Sequence, residues 1–411
     1  MKITVRNLGP IRNEATFDLK PLTVFIGQND SGKTWLAYVM ASIFGPYGME
    51  KYIQTYIEGL VPQMYEPLHR AIEQVLVGGS TSIDIRQFAV DYGEAYFNDV
   101  AALAKTWMDG FLSTQLLRFD DLDISLQLAG NTEEFINAVV QSSQVNKIAV
   151  GPAGALLTLR KRRGEDKLFV YTSNEIHDTE EQEEQGINIG GDLPPDVVKE
   201  QIVSFVLSVL HRSLYPYVRI FPIEKATLVT DRFSERIIEH TKINEAVQNT
   251  FYEVIWPVQS FVTMLSLLFN VGRRQQEERE KRARNDVNVR KYREFAELLE
   301  QEVLMGEIKF STPEPDPRRQ ILYQPSPDAV LEIPIASSMV KELSPLVLYL
   351  RYLARPGELL IIDEPEMNLH PAAQVKIIEF LTMLVNAGLN ILITTHSSYV
   401  VDHLINLMDA Y

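Results

Sequence analysis

The sequence predicts an α/β protein, built as a parallel core sheet with a mixed β-subdomain and an inserted helical arm. Continuous apolar runs at residues 22–26, 359–362 and 389–393 carry this prediction, because such runs fill parallel strands that are covered on both faces. The first run lies near one end of the chain and the other two near the opposite end. A single sheet must therefore unite distant segments.

The first apolar run leads into a glycine-rich loop, GQNDSGKT at residues 27–34, which fits the pattern G-x-x-x-x-G-K-[ST]. A helical pattern follows at residues 35–40, so the order strand, loop, helix predicts an ATP site rather than an accidental glycine turn. Lys33 would reach the β- and γ-phosphates and Thr34 would bind Mg²⁺. The predicted nucleotide-binding residues of the loop are Gly27, Asn29, Asp30, Ser31, Gly32, Lys33 and Thr34.

The second apolar run ends in the acidic pair Asp363 and Glu364. Ligands of open α/β sheets bind at the carboxyl ends of the strands, so both carboxylates are expected beside the phosphates. Asp363 is predicted to hold Mg²⁺ together with Thr34, and Glu364 to polarise the attacking water. A solvated acidic pair at a strand end is common, so this interpretation depends on the glycine-rich loop.

The third apolar run ends in Thr-Thr-His-Ser at residues 394–397. The order of the motifs, from the glycine-rich loop through Asp-Glu and Asn-Leu-His-Pro to Thr-His-Ser, resembles the ATP-binding-cassette ATPases. The resemblance implies that His396 contacts the γ-phosphate and takes part in catalysis with Lys33 and Glu364. It also implies that Asn368 lies in a dimer-facing loop at the nucleotide. Without this resemblance, His396 at the end of a strand would be interpreted as a structural histidine.

These ATPases also use a signature segment that completes the ATP site of a partner subunit. Its best match is ASSMVKEL at residues 336–343, directly before the acidic strand. Ser337 and Ser338 at a helix N-terminus could bind a phosphate, and N-capping is the alternative. Met339 stands where the family usually has glycine. The resemblance thus implies a homodimer or higher homo-oligomer that sandwiches ATP.

The first 27 residues, the serine pair, Asp-Glu-Pro-Glu and Thr-Thr-His-Ser together resemble the RecF/SMC-type and OLD-type branch, with AAA_21-like or AAA_15-like domains. By this resemblance, residues 6–11 lie near the nucleotide base. OLD-type ATPases resemble the ATPase parts of the Gabija, Septu and PARIS antiphage systems. The implied function is a sensor ATPase that controls a partner nuclease of the Toprim kind. A RecF/SMC-like DNA-binding repair ATPase is the alternative.

Composition agrees with a cytoplasmic protein. The 411 residues are 45% hydrophobic and include no cysteine, which permits a sizeable core and excludes disulfides. No apolar run reaches membrane-spanning length. The net charge of −16, from 39 basic and 55 acidic residues, argues against nonspecific coating of nucleic acid. A basic stretch at residues 273–293 is the candidate contact for DNA or a DNA-mimicking phage protein, and a solvated helix face is its alternative.

The chain is predicted to have four parts: residues 1–50 and 311–411 as the two halves of the ATPase head, residues 51–238 as helical and β insertions, and residues 239–310 as a helical arm. Within the insertions, residues 51–114 have a mostly helical pattern, whereas residues 122–128 and 147–171 have strand patterns. The arm is too short for the long coiled coil of an SMC protein.

Overall fold

The computed structural model describes residues 1–61, 64–128, 130–150, 155–173, 194–230, 254–269, 279, 281, 283, 284, 286–311 and 320–409. Its helices are α1 (Lys33–Phe44), α2 (Pro46–Ile57), α3 (Glu66–Gly78), α4 (Ile85–Leu103), α5 (Met108–Phe111), α6 (Thr132–Gln141), α7 (Pro195–Leu214), α8 (Lys225–Thr230), α9 (Trp256–Phe269), α10 (Val287–Leu299), α11 (Ser338–Tyr352), α12 (Pro371–Asn386) and α13 (Ser398–Asp409). No helix of these ranges is long and apolar enough to cross a membrane.

The strands of the same ranges are β1 (Lys2–Arg6), β2 (Ala15–Asp18), β3 (Leu22–Ile26), β4 (Ser80–Asp84), β5 (Asp123–Gln127), β6 (Gln144–Val150), β7 (Ala155–Lys161), β8 (Lys167–Ser173), β9 (Val218–Phe221), β10 (Glu307–Phe310), β11 (Ile321–Ser326), β12 (Ala329–Glu332), β13 (Leu359–Asp363) and β14 (Asn390–Thr395).

A four-stranded parallel sheet lies at the centre, in the order β3-β14-β13-β9. All three strand pairs are parallel, with Asp363 opposite Thr394 and Thr395 opposite Ile26. The carboxyl ends of β3, β14 and β13 therefore lie side by side, although β3 comes from the opposite end of the chain. This confirms the α/β fold with a parallel core sheet.

The parallel sheet separates two hydrophobic cores. On β13, Leu359 and Ile361 face the first core, while Leu360 and Ile362 face the second, as the two-residue period of a strand requires. The first core contains helices α1, α2, α4 and α7, and the second contains α9, α10, α11 and α12. Burial on both faces explains why the strand sequences are continuously apolar.

Three antiparallel sheets accompany the parallel one within the described ranges, in the orders β2-β1-β5, β10-β11-β12 and β4-β8-β7-β6. The strands predicted at residues 122–128 and 147–171 are confirmed as β5 and as the meander β6-β7-β8. Residues 51–114 are mostly helical as predicted, except that β4 pairs with β8. The sequence of β4, STSID, contains one apolar residue, Ile83, which is also its only buried residue. It therefore lacks the alternation of apolar and polar residues that predicts a strand.

The described parts of the predicted helical arm pack against the rest of the protein. Phe261 and Leu265 of α9 and Tyr292 and Ala296 of α10 are fully buried in the second core. Helix α10 begins after Asp286, whose side chain accepts hydrogen bonds from the first-turn backbone. Residues 239–253, 270–278, 280, 282 and 285 of the predicted arm lie outside the described ranges. The four domain boundaries stay predictions.

Candidate functional site

The glycine-rich loop connects β3 to α1 at the carboxyl edge of the parallel sheet. Gly32 has a φ of +97°, and a Cβ atom there would lie 2.8 Å from Cγ1 of Ile11, so glycine is required. The Nζ of Lys33 donates hydrogen bonds of 2.8 Å to the carbonyl oxygens of Gly27 and Gln28. Its ammonium group is thereby held over the loop, where the pattern predicts the phosphates.

The tip of the loop is open to solvent. Asn29, Asp30 and Ser31 are exposed, and Asp30 has a left-handed φ of 62°. Left-handed residues turn successive backbone N–H groups toward one side, which suits anion binding. The contact of Ile11 with Gly32 brings the predicted segment 6–11 to this loop.

The two predicted metal ligands are in direct contact. The Oγ1 of Thr34 donates to Asp363 at 3.0 Å from Oδ1 and 3.2 Å from Oδ2, across 329 positions of sequence. Mg²⁺ in nucleotide sites takes one or two protein oxygens, and phosphates and waters supply the others. The hydroxyl and carboxylate of this pair therefore fit an Mg²⁺ ion bound with ATP.

Asp363 is almost completely buried, with 1% of its surface exposed. Burial raises the pKa of its carboxyl group, and the hydroxyls of Thr394 and Thr34 and the charge of Lys225 oppose the rise. The Oγ1 of Thr394 donates to Asp363 and accepts from the backbone N of Glu364 at 3.1 Å. Sequence reasoning did not select Thr394, although the Thr-Thr-His-Ser motif contains it.

Glu364 and His396 form a second contact at this edge. The Nδ1 of His396 lies 2.9 Å from Oε1 of Glu364. Glu364 has a φ of 45°, a conformation that costs a non-glycine residue roughly 1–3 kcal/mol and persists only where its surroundings impose it. The imidazole is 44% exposed, and the preceding residue, Thr395, accepts a backbone hydrogen bond from Gly27 of the loop. The predicted catalytic pair is thus held in a strained, specific geometry.

An ion pair that the sequence did not predict lies beneath the acidic residues. Lys225, the first residue of α8, and Glu342, in α11, are 2.5 Å apart, with side chains 3% and 0% exposed. The Nζ of Lys225 also donates to the backbone oxygens of Asp363 at 3.0 Å and Glu364 at 3.4 Å. The Nδ2 of Asn368 donates to Glu342 at 3.3 Å. No local pattern around Lys225 marks it as a site residue.

The two candidate signature serines lie at the N-terminus of α11. Both are exposed. Ser337 is the N-cap, and its Oγ accepts a hydrogen bond of 3.3 Å from the N of Val340. This is the N-capping role that the sequence left open as the alternative to phosphate binding. Met339 packs partly against the second core. A contact of Ser337 and Ser338 with a partner's nucleotide stays a prediction.

The basic stretch at residues 273–293 is only partly described, since residues 273–278, 280, 282 and 285 lie outside the described ranges. Arg279 is buried, and its Nη2 donates to the carbonyl of Ala354 at 2.7 Å. The prediction of a positive surface patch is therefore wrong for Arg279, because this guanidinium is used inside the protein. Arg290 and Lys291 of α10 are exposed.

A family model described as AAA ATPase domain, AAA_15, matches residues 1–401. Among solved structures, the chain is similar to an Smc head bound to the C-winged helix domain of ScpA, with a TM-score of 0.38, 10% identity, and 98% of this chain and 90% of that chain covered. It is also similar to an Smc head domain with an extended coiled coil bound to the C-terminal domain of ScpA, derived from Pyrococcus furiosus, with a TM-score of 0.36, 11% identity and the same coverage of 98% and 90%. At these TM-scores, the two similarities add nothing to the family match. No curated protein matches the chain.

Proposed function

The chain belongs to the AAA ATPase domain family, and on this premise we propose that it hydrolyses ATP with Mg²⁺ in a homodimer or higher homo-oligomer. The contact between Thr34 and Asp363, 3.0 Å across 329 positions, carries the proposal. Phosphoryl transfer requires a metal ligand and a phosphate-binding loop within a few ångströms of each other. That contact meets this requirement with residues from opposite ends of the chain.

Each polar group at the sheet edge has a role in this proposal. Lys33 binds the β- and γ-phosphates, and Thr34 and Asp363 hold Mg²⁺, which neutralises charge on the phosphate oxygens. Glu364 accepts a hydrogen bond from the attacking water and directs it at the γ-phosphate. His396, beside Glu364, contacts the γ-phosphate. Most of the catalysis is positioning, as expected for phosphoryl transfer to water.

The signature serines belong to the neighbouring subunit's site in this proposal. Ser337 and Ser338 are exposed at the N-terminus of a 15-residue helix, where the unpaired backbone N–H groups favour an anion. Two subunits would each present this helix end to the other's nucleotide, with Asn368 in the facing loop. ATP would close the dimer, and hydrolysis would loosen it.

Two substitutions separate binding from hydrolysis. Glu364→Gln keeps the side-chain shape and an oxygen near His396, so we expect ATP affinity within about threefold of wild type and turnover roughly 1,000-fold lower. Lys33→Ala removes the charged phosphate donor and should lower ATP affinity about 100-fold. Titration with a fluorescent ATP analogue and a phosphate-release assay measure both quantities.

Lys20→Ala is the control, because Lys20 is an exposed lysine just before β3 and should change neither quantity. Normal hydrolysis by the Glu364→Gln protein would contradict the role of Glu364 in directing the attacking water. Unchanged nucleotide affinity in the Lys33→Ala protein would contradict the proposal that Lys33 binds the β- and γ-phosphates.

We further propose that the nucleotide state controls a separate Toprim-type nuclease in antiphage defence. The resemblance of the serine pair, Asp-Glu-Pro-Glu and Thr-Thr-His-Ser to OLD-type ATPases supports this. Capture of the Glu364→Gln protein from cells with and without phage should yield a complex with a nuclease, and toxicity should require both proteins and the trigger. DNA-stimulated hydrolysis by the isolated protein would instead support the RecF/SMC-like alternative.

A further inference from the structure

Lys225 is a buried cation that is bound to a turn as well as to a carboxylate. Burying an ammonium group is unfavourable unless its N–H groups find partners. Here the partners are Glu342 at 2.5 Å and the backbone oxygens of Asp363 at 3.0 Å and Glu364 at 3.4 Å. The two backbone oxygens belong to the peptide groups on either side of Glu364. Lys225 therefore clamps the one residue of the acidic pair that has a φ of 45°.

Glu342 connects this clamp to the signature segment. It lies five residues after the N-cap Ser337 on α11, about 7.5 Å along the helix axis. Its second carboxylate oxygen accepts a hydrogen bond from Asn368 at 3.3 Å, and Asn368 has a left-handed φ of 60°. One buried carboxylate thus joins α8, α11 and the loop that follows the acidic pair.

We propose that Lys225 and Glu342 form a positioning relay, in which the place of α11 sets the orientation of Glu364 in the same subunit. The relay rests on the proposed function, because it takes Glu364 to direct hydrolysis and Ser337 and Ser338 to meet the neighbour's nucleotide. A movement of α11 toward that nucleotide carries Glu342 with it. Lys225 follows, because separation would break the buried ion pair and leave each charge without an opposite charge beside it. Hydrolysis at one site thereby responds to nucleotide at the other.

A second ion pair on the same helix provides a matched comparison. Arg351, near the C-terminal end of α11, lies 2.5 Å from Glu300, with side chains 15% and 6% exposed. Both residues also bond to the backbone of Ile308 in β10. This pair therefore fixes the far end of α11 to β10, and within the described ranges it makes no hydrogen bond to Asp363 or Glu364. Both ion pairs join a basic residue to a glutamate and are largely buried. Of the two, only the pair of Lys225 and Glu342 contacts the acidic pair.

The test removes both charges of each pair. Either single change in the relay would leave a buried charge unpaired, which can unfold the protein, so the variant is Lys225→Met with Glu342→Met. Methionine matches glutamate in length and is one atom shorter than lysine. Because the glycine-rich loop is untouched, we expect a KM for ATP within about threefold of wild type. The kcat should fall by a factor of about ten or more.

The control is Arg351→Met with Glu300→Met, for which we expect a kcat within about twofold of wild type. Thermal melting and the stoichiometry of ATP binding show what fraction of each protein is folded. A purely structural role would reduce active fraction and kcat together, whereas a positioning role reduces kcat per bound nucleotide.

Wild-type hydrolysis in the same assay separates this proposal from the proposed function. If the wild type does not hydrolyse ATP, the proposed function fails and the relay fails with it. If the wild type is active and the relay variant keeps its kcat, the relay is overturned while the ATPase assignment stands. An equal loss of kcat in the control variant would also overturn the relay. A loss of kcat confined to the relay variant is the expected result.

Discussion

Strand β13 has a buried carboxylate at each end. Glu358 directly precedes the strand and is 0% exposed, and Asp363 ends it and is 1% exposed. Burial raises the pKa of both carboxyl groups. The two residues therefore differ little in desolvation, and what distinguishes them is the chemistry of their neighbours.

The neighbours of Glu358 are mostly cations. The charges of Arg219, Arg355 and Arg279 oppose the rise in its pKa, and the hydroxyl of Tyr349 donates a hydrogen bond to it. The positive charges of these arginines offset part of the cost of burying the carboxylate, although its Oε1 has no hydrogen-bond partner among the described residues. Within the described part of the chain, this end of the strand therefore holds its charge by nearby cations rather than by direct ion pairs.

The direct side-chain partners of Asp363 are hydroxyls. Thr394 and Thr34 donate to its carboxylate, while Lys225 approaches its backbone oxygen. Neutral donors orient a carboxylate without cancelling its charge, so it keeps its attraction for a metal cation. Burial alone therefore does not mark a functional carboxylate, whereas burial with neutral donors beside a phosphate loop does.

Of the two carboxylates at the ends of β13, Asp363 should give the larger loss of activity when it is changed to asparagine (Asp363→Asn). Asparagine keeps the shape but offers Mg²⁺ no charged oxygen, so hydrolysis should fall about 100-fold, roughly 3 kcal/mol of transition-state stabilisation. The free energy of unfolding should stay the same or rise, because a neutral amide costs less to bury than a carboxylate. Phosphate release and urea unfolding measure the two effects, and an undiminished rate would refute the metal role.

Glu358→Gln should have the opposite profile. The charges of Arg219 and Arg279 would lose the carboxylate that compensates them, so the free energy of unfolding should fall by about 2 kcal/mol. The kcat of the folded protein should stay within about twofold of wild type. Glu307→Gln is the control, because its ion pair with Lys309, at 2.9 Å, is exposed and contributes about 0.5 kcal/mol. Equal loss of hydrolysis in the Glu358 and Asp363 variants would erase the contrast.

His211 is a buried residue far from the acidic pair in sequence, and its pKa gives a third measure of what burial does in this protein. Burial lowers the pKa of its ring from 6.5 to about 4, against the hydrogen bonds to the carbonyls of Phe44 and Gly45. Between these values the unfolded chain binds a proton and the folded protein does not. Stability is therefore complete above about pH 6.5 and falls as the pH decreases toward 4, by about 2 kcal/mol between pH 6.5 and 5.

The His211→Gln protein should lose about 2 kcal/mol less than wild type over that pH range. Urea unfolding at pH 6.5 and pH 5 measures the difference. The Nε2 of His211 lies 2.9 Å from the carbonyl oxygen of Phe44, a bond that glutamine can also donate. Identical pH dependence of the two proteins would show that burial does not shift this pKa.

Local patterns allowed much of the sheet edge to be predicted. The apolar runs before Gly27 and Asp363 have the length and continuity of buried parallel strands, and their carboxyl ends must meet at one edge. The contact of Thr34 with Asp363 follows from that rule. The capping of α11 by Ser337 was an open alternative in the sequence, and the structure contains it.

Other features could not be predicted, because they depend on partners that are distant in the chain. Lys225 reaches Asp363 only because β9 is the neighbour of β13 in the sheet. Strand β4 exists because β8 supplies its hydrogen bonds, and Arg279 is buried because the turn after α11 provides the carbonyl of Ala354. None of these residues has a distinguishing sequence context.

Local sequence patterns were enough to identify three strands of the parallel sheet, β3, β13 and β14, and the loop that is suited to phosphate, whereas the place of β9 beside β13 came from the fold. Hydrophobic periodicity and the left-handed backbone of Gly32 are properties of short segments, so they can be recognised locally. Which charges are buried, and which groups compensate them, depends on the folded structure. The cost of burying Lys225, Glu342 or Glu358 is set by atoms contributed from across the chain, and no short segment contains that information.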